Sequence, residues 1–269
     1  MKLSFSFPAL QLLSAFIVGC AALTAPPAAF SQAPAPAAAG ADYVILKPAS
    51  ATSQPQQFVN VLVVAVRGTK VAIRDARGEA SYDLAQIQEV RKAAPPNFVQ
   101  GQRALEAGKP EEALTLIKGV ADHYKGLPTT WASEATALVG SIYVTLGKLP
   151  EAEAAFDDFQ KTYPASGSLA ASVGKARIAA ERKNFAEARS VAEPLVKDAL
   201  TKKIVTRAES QLFGQAYYIL GRVAEGEEKL SEAMENYCRT VAIFYQDRSV
   251  VIEAQKRIDA LRQQGITTP

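Results

Sequence analysis

The sequence predicts a mainly α-helical chain: an α-solenoid of four helix hairpins with a capping helix, preceded by a small β module. Three observations predict it. A short phrase, Lys-Leu-x-Glu-Ala, is written twice, at 148–152 and 229–233, with an aromatic four residues after each Ala (Phe156 and Tyr237). From Pro95 onward the texture is Ala-rich with apolar residues at helical spacing. Before that, residues 42–92 are β-branched runs punctuated by Gly.

The first 31 residues have the order of a secretory signal peptide: Lys2, an apolar run Ala9 to Ala25, then small residues that allow cleavage after Ser31. Ile17-Val18-Gly19-Cys20 offers a second route, a bacterial lipobox in which Cys20 carries lipid. Either route exports the chain, which places it in the periplasm or on the periplasmic face of an outer membrane. Residues 32–41, Pro and Ala without periodicity, read as a semi-extended tether. Removing the signal takes only Lys2 from the charges, so the formal net charge falls from +3 to +2. That balance argues against a nucleic-acid partner and leaves a lipid anchor as the route to a membrane. Of the two cysteines, Cys20 leaves or is lipidated, so Cys238 has no intrachain partner and reads as a small buried hydrophobe. His123, the only histidine, sits at a helix end and reads as a terminal cation or surface residue.

In the β module, 43–47, 58–66, 70–75 and 79–83 read as strands, with Gly68 and Gly78 at the hairpin turns and Leu84, Ile87 and Val90 closing the segment. Three or four short strands in so short a stretch suggest an SH3- or Sm-like half-barrel. Arg67, Lys70, Arg74 and Arg77 gather there. They read either as a contact for an anionic or glycan polymer or, more simply, as charges that guard strand edges.

The helical part repeats in register. Glu-Ala pairs follow four turns, at Ala113, Ala152, Ala188 and Ala233, and the residues twelve earlier are Gly101, Gly140, Ala176 and Gly221. Four residues after each Ala comes Ile117, Phe156, Ala192 or Tyr237. Small residues at fixed points of two successive helices let the helices of a hairpin pack closely. The repeats therefore run about 94–127, 133–166, 169–202 and 214–247, within an array spanning 94–264, and Val250, Ala254, Ile258 and Leu261 form one stripe of a cap at 249–264.

These residues resemble the tetratricopeptide repeat family. Residues 133–166 carry its pattern best, with Gly140, Tyr143, Gly147, Ala152, Phe156 and Pro164; residues 169–202 carry it least, with Lys183 at the turn glycine. The Ala-to-Ala spacings of 39, 36 and 45 depart from the family's period of about 34, and the excess before Gly214 implies a lengthened helix. The ending Tyr163-Pro164-Ala165-Ser166 resembles bacterial envelope repeat proteins of the Tol-Pal coordinator and outer-membrane assembly lipoprotein type.

The resemblance implies a protein-binding concave face made by the first helix of each hairpin: Phe98 and Gln102, Ala137, Leu138 and Ser141, Val173 and Arg177, Tyr218 and Arg222. Tyr218 and Arg222 are expected to be exposed there, in a groove suited to a peptide with acidic side chains. The Lys-Asn carboxylate clamp of chaperone-binding relatives is missing. The sequence holds no phosphate loop, nucleophile elbow or metal-spaced His/Cys cluster, so no catalytic, metal or cofactor residues are assigned. Two functions follow as expectations: an exported, non-enzymatic scaffold for other envelope proteins, or a wall-associated structural protein gripping polymer through its β module.

Overall fold

The computed structural model describes residues 42–267. The expected signal peptide (1–31), tether (32–41) and lipidation residue Cys20 lie outside them. Among the described residues are five strands, β1 (Asp42–Leu46), β2 (Gln57–Arg67), β3 (Lys70–Asp75), β4 (Gly78–Asp83) and β5 (Ile87–Arg91), followed by nine α-helices.

The sheet is antiparallel in the order β4-β3-β2-β1-β5. A 3-10 turn at Leu84–Gln86 makes the passage from β4 to β5. The long β2 pairs with β1 through its first half and with β3 through its second, and register breaks at Val63/Ala65 let it serve both. This sheet, with β2 shared by both halves, is the small β module expected ahead of the helices. The stretch closing the module is itself a fifth strand, where the sequence suggests three or four in all. Its inner face buries Val44, Val61, Val63, Val71, Ile73, Ile87 and Val90.

The helices form four antiparallel hairpins: α1 (Pro96–Glu106) with α2 (Pro110–His123), α3 (Thr130–Thr145) with α4 (Leu149–Thr162), α5 (Pro164–Glu181) with α6 (Phe185–Thr201), and α7 (Arg207–Gly226) with α8 (Leu230–Ala242). The last helix, α9 (Arg248–Gln263), packs on α8 and α7 and buries the stripe Val250, Ala254, Ile258 and Leu261.

The small residues explain the hairpins. A side-chain carbon at Gly140 would come within 2.8 Å of the Phe156 ring, and one at Gly221 within 2.5 Å of the Tyr237 ring. Gly101 meets Ile117 in the same way. Ala113, Ala152, Ala188 and Ala233 are fully buried at the matching points of the second helices. Each large residue thus fills the space its small partner leaves, which is how close-packed interiors avoid voids. The extra chain before Gly214 lengthens α7 to 20 residues. Thr206 and Glu209 cap its start reciprocally, each side chain accepting from the other's backbone N–H.

The β module shares its core with the first hairpin and α3. Val44, Val63, Val71 and Ile87 lie in one cluster with Phe98, Ile117, Val120 and Trp131. Polar ties fix the joint. Trp131 Nε1 donates to Lys92 O at 2.8 Å, and Lys92 Nζ pairs with Asp42 at 2.9 Å with both side chains nearly buried. The same Asp42 oxygen accepts from Val63 N–H at 2.7 Å. His123, expected as a surface or terminal residue, donates from Nε2 to Val64 O at 2.8 Å and so bolts α2 to β2.

Candidate functional site

The first helix of each hairpin lines the inner side of the array, where the sequence expects a groove. Those side chains are largely committed to one another. Phe98 is buried in the core shared with the sheet, and Val173 is buried against α6 and α7. Ala137 and Leu138 are half-buried in neighbouring clusters, and Ser141 is half-buried too. Gln102 Nε2 donates to Glu134 at 3.2 Å, linking α1 to α3, and burial pushes the Glu134 carboxyl above its ordinary value.

The two arginines and Tyr218 depart most from expectation. Tyr218 is 3% exposed rather than open to solvent. Arg177 is 6% exposed, pairs with Glu253 of α9 and lies over the Tyr218 ring at 5.3 Å. Arg222 pairs with Glu181 at 2.7 Å, leaving its side chain 16% exposed. The acidic groups anticipated from a bound peptide are therefore supplied by the chain itself.

For Arg177 and Tyr218 the physical cause is α9, whereas Arg222 is met by Glu181 at the end of α5. Glu253 reaches both Arg177 on α5 and Thr145 on α3, whose hydroxyl donates at 2.6 Å. Arg257 pairs with Glu225 at 3.2 Å, and Tyr237 Oη donates to the same carboxylate. α9 also touches α1, with Arg248 at 4.0 Å from Glu106. The array curls far enough for its last helix to meet its first.

Burial penalises the Arg177 cation, but the field of Glu253 outweighs it and holds the guanidinium firmly protonated. Glu253 mirrors it: burial would raise its carboxyl, yet Arg177 and the Thr145 hydroxyl hold it below the ordinary value. Burial raises the Tyr218 and Tyr237 hydroxyls, so both stay neutral hydrogen-bonding groups. Nε of Arg177 and of Arg222 are buried without a partner among the described residues.

The open surface is on the other side. A cleft of about 320 Å³ lies between α2 and α4 with α3 as its floor. Ala121, Val139, Tyr143, Ala154 and Ala155 give it an apolar lining. Lys118 with Asp122 and Lys125 with Asp158, each pair at 2.6 Å, form a charged rim. Such a cleft can seat one apolar side chain of a partner while the rim pairs exchange partners at little cost. The sequence carries no signal for it, because small residues on α2 and α4 read alike whether they open a cleft or pack against a neighbour.

In the β module, Arg67 and Arg74 both pair with Glu79, and Arg77 pairs with Asp75. Three of the four cations are thus answered locally, as edge-guarding charges would be.

Residues 98–166 and 140–201 match the family model of the tetratricopeptide repeat. Within the helical array, residues 98–201 are thus similar to tetratricopeptide repeats. Among solved structures the chain is similar to MamA (41-end) from Desulfovibrio magneticus RS-1, at 23% identity and a TM-score of 0.35, covering 64% of this chain and 96% of that one. It is also similar to a MamA RS-1 ArsTM double mutant, at 23% identity and a TM-score of 0.34, covering 64% and 98%. The search of curated proteins found no match. Among the described residues no group of His, Cys, Asp or Glu is arranged to hold a metal, and no helix is long and apolar enough to cross a membrane.

Proposed function

We propose that this tetratricopeptide protein is an exported, non-enzymatic scaffold that binds other proteins of the bacterial envelope, and that its outer cleft between α2 and α4 is the docking surface. The contrast between the two faces carries the reading. The inner face spends its arginines on Glu253 and Glu181, whereas the outer cleft offers an unfilled apolar lining under a charged rim. Export is supported by the apolar run Ala9–Ala25 and the tether behind it, and an envelope setting by the Tyr163-Pro164-Ala165-Ser166 ending.

The test is site-specific photo-crosslinking in the native cell, with the crosslinker at exposed Ala154 or at Arg222. Adducts with envelope proteins are expected from Ala154 and not from Arg222. The reverse pattern would return docking to the inner face. Intact-mass measurement of the product checks export: a chain beginning near Gln32, or one carrying diacylglycerol on Cys20, is expected. A full-length chain confined to the cytoplasm would contradict it.

A further inference from the structure

The described residues leave few large apolar side chains in water, and five of them fall in or beside two connections. Leu200 (69% exposed), Ile204 (84%) and Val205 belong to the end of α6 and its link to α7; Ile243 and Tyr245 belong to the link from α8 to α9. Both links join the second helix of a hairpin to the next first helix, so both lie on one edge of the array.

A buried aromatic cluster ties them together. Phe244, between Ile243 and Tyr245, stacks on Tyr217 at 5.3 Å and meets Phe213 edge-on at 5.8 Å. Phe213 and its neighbours pack in turn against Leu195, Val196 and Ala199, the last adjoining Leu200. The five exposed residues thus flank a single core rather than scatter.

The charge around them is positive by one, Lys197, Lys202, Lys203 and Arg207 standing against Asp198, Glu209 and Asp247. Lys202 lies between two carboxylates, Asp198 and Glu209, and pairs with each. Asp247 caps α9 and accepts from Gln215. Lys197 and Lys203 make no ion pair among the described residues, and exposed Arg207 adds a third cation. Ile204 and Val205 stand between Lys203 and Arg207 in sequence.

We propose that this edge is a membrane-contact surface that seats on an anionic lipid bilayer. Protein hot spots usually fill preformed pockets. Here the apolar groups protrude from loops into water, and a bilayer interface accepts such tips without a matching cavity. Lys197, Lys203 and Arg207 would face the complementary charge of acidic headgroups. Contact at this edge would hold the array beside the bilayer and leave the α2–α4 cleft free.

The experiment is Ile204→Trp in the full chain, read by tryptophan fluorescence with vesicles carrying brominated acyl chains. Ile204 makes few contacts, so the change should spare the fold. The natural Trp131 is buried and serves as a constant background. In phosphatidylglycerol vesicles at low salt, emission from the introduced indole should fall at least about twofold. Quenching should weaken in high salt and vanish in phosphatidylcholine. Glu111→Trp, on the opposite edge, should stay unquenched. Because an apolar N-terminus could bring the body to the vesicle by itself, an unquenched indole at 204 would overturn the proposal. So would equal quenching at 111, or a dimer in sedimentation equilibrium abolished by Ile204→Asp, which would assign the edge to a second copy of this chain.

Discussion

Phe156 shows how single residues set the repeat. Its ring lies between Gly140 of its own hairpin and Gly174 of the next, and a methyl at Gly174 would fall inside the ring's contact radius. Gly174→Ala should cost about 1–3 kcal/mol by overpacking, as should Ala152→Leu, whose side chain is fully buried. Denaturant unfolding checks both, and a midpoint equal to the parent's would break the register described here. The hairpin turns give the opposite sign. Gly108 and Gly147 turn at φ of 71°, but Lys183 and Glu228 hold the same turn at 61° and 62°. Side chains there cost about 1 kcal/mol that glycine escapes, less its own larger loss of backbone freedom. Lys183→Gly should therefore leave stability unchanged or raise it by up to about 1 kcal/mol. A clear loss would mean that the Lys183 side chain stabilises the turn. The missing turn glycine was legible in the sequence at Lys183, where the third repeat matches its family least. The burial of Tyr218 was not, because one helix cannot announce which later helix will cover it.

Helix α9 is the element on which the inner face depends. The sequence marks it as a cap through its stripe of Val250, Ala254, Ile258 and Leu261, and that stripe does cover Tyr218 and Tyr237. The flank of that stripe carries Glu253, four residues from Arg257, and the pair ties α9 to α3, α5 and α7. A chain ending before Arg248 should lose more helical circular dichroism than the 16 residues of α9 account for, because the fourth hairpin loses its cover. A loss limited to those residues would show that the hairpins stand without it. At the other end, Lys92→Met leaves Asp42 charged and nearly buried without its partner, and should cost about 3–5 kcal/mol. A much smaller cost in thermal melting would mean that the β module is only loosely joined to the first hairpin.

At the scale of the whole molecule, the repeat pattern revealed the four hairpins because their packing is local: small and large residues face each other across one turn. The inner face was not legible because its closure is set by curvature accumulated over the array, which brings Glu253 to Thr145 across 108 residues of sequence. Acidic residues on helices read alike whether solvated or paired, so nothing singled out Glu181 or Glu253. Closure also predicts a pH response. The folded Glu253 carboxyl lies below its ordinary value of 4.5, so its contribution is fully present above that value and is lost as pH falls through the lower folded one. Thermal melts below pH 4.5 should drop less steeply for Glu253→Gln than for the parent; parallel curves would show that Glu253 is not paired in solution. The most direct test of an inner face closed by the chain itself is a double-mutant cycle on Arg177→Met and Glu253→Gln, measured by urea unfolding. A dry pair bridging α5 and α9 should give a coupling of about 2 kcal/mol or more. A coupling under about 0.5 kcal/mol, the level of solvent-exposed pairs, would mean that the groove is open and the partner-binding face lies inside it after all.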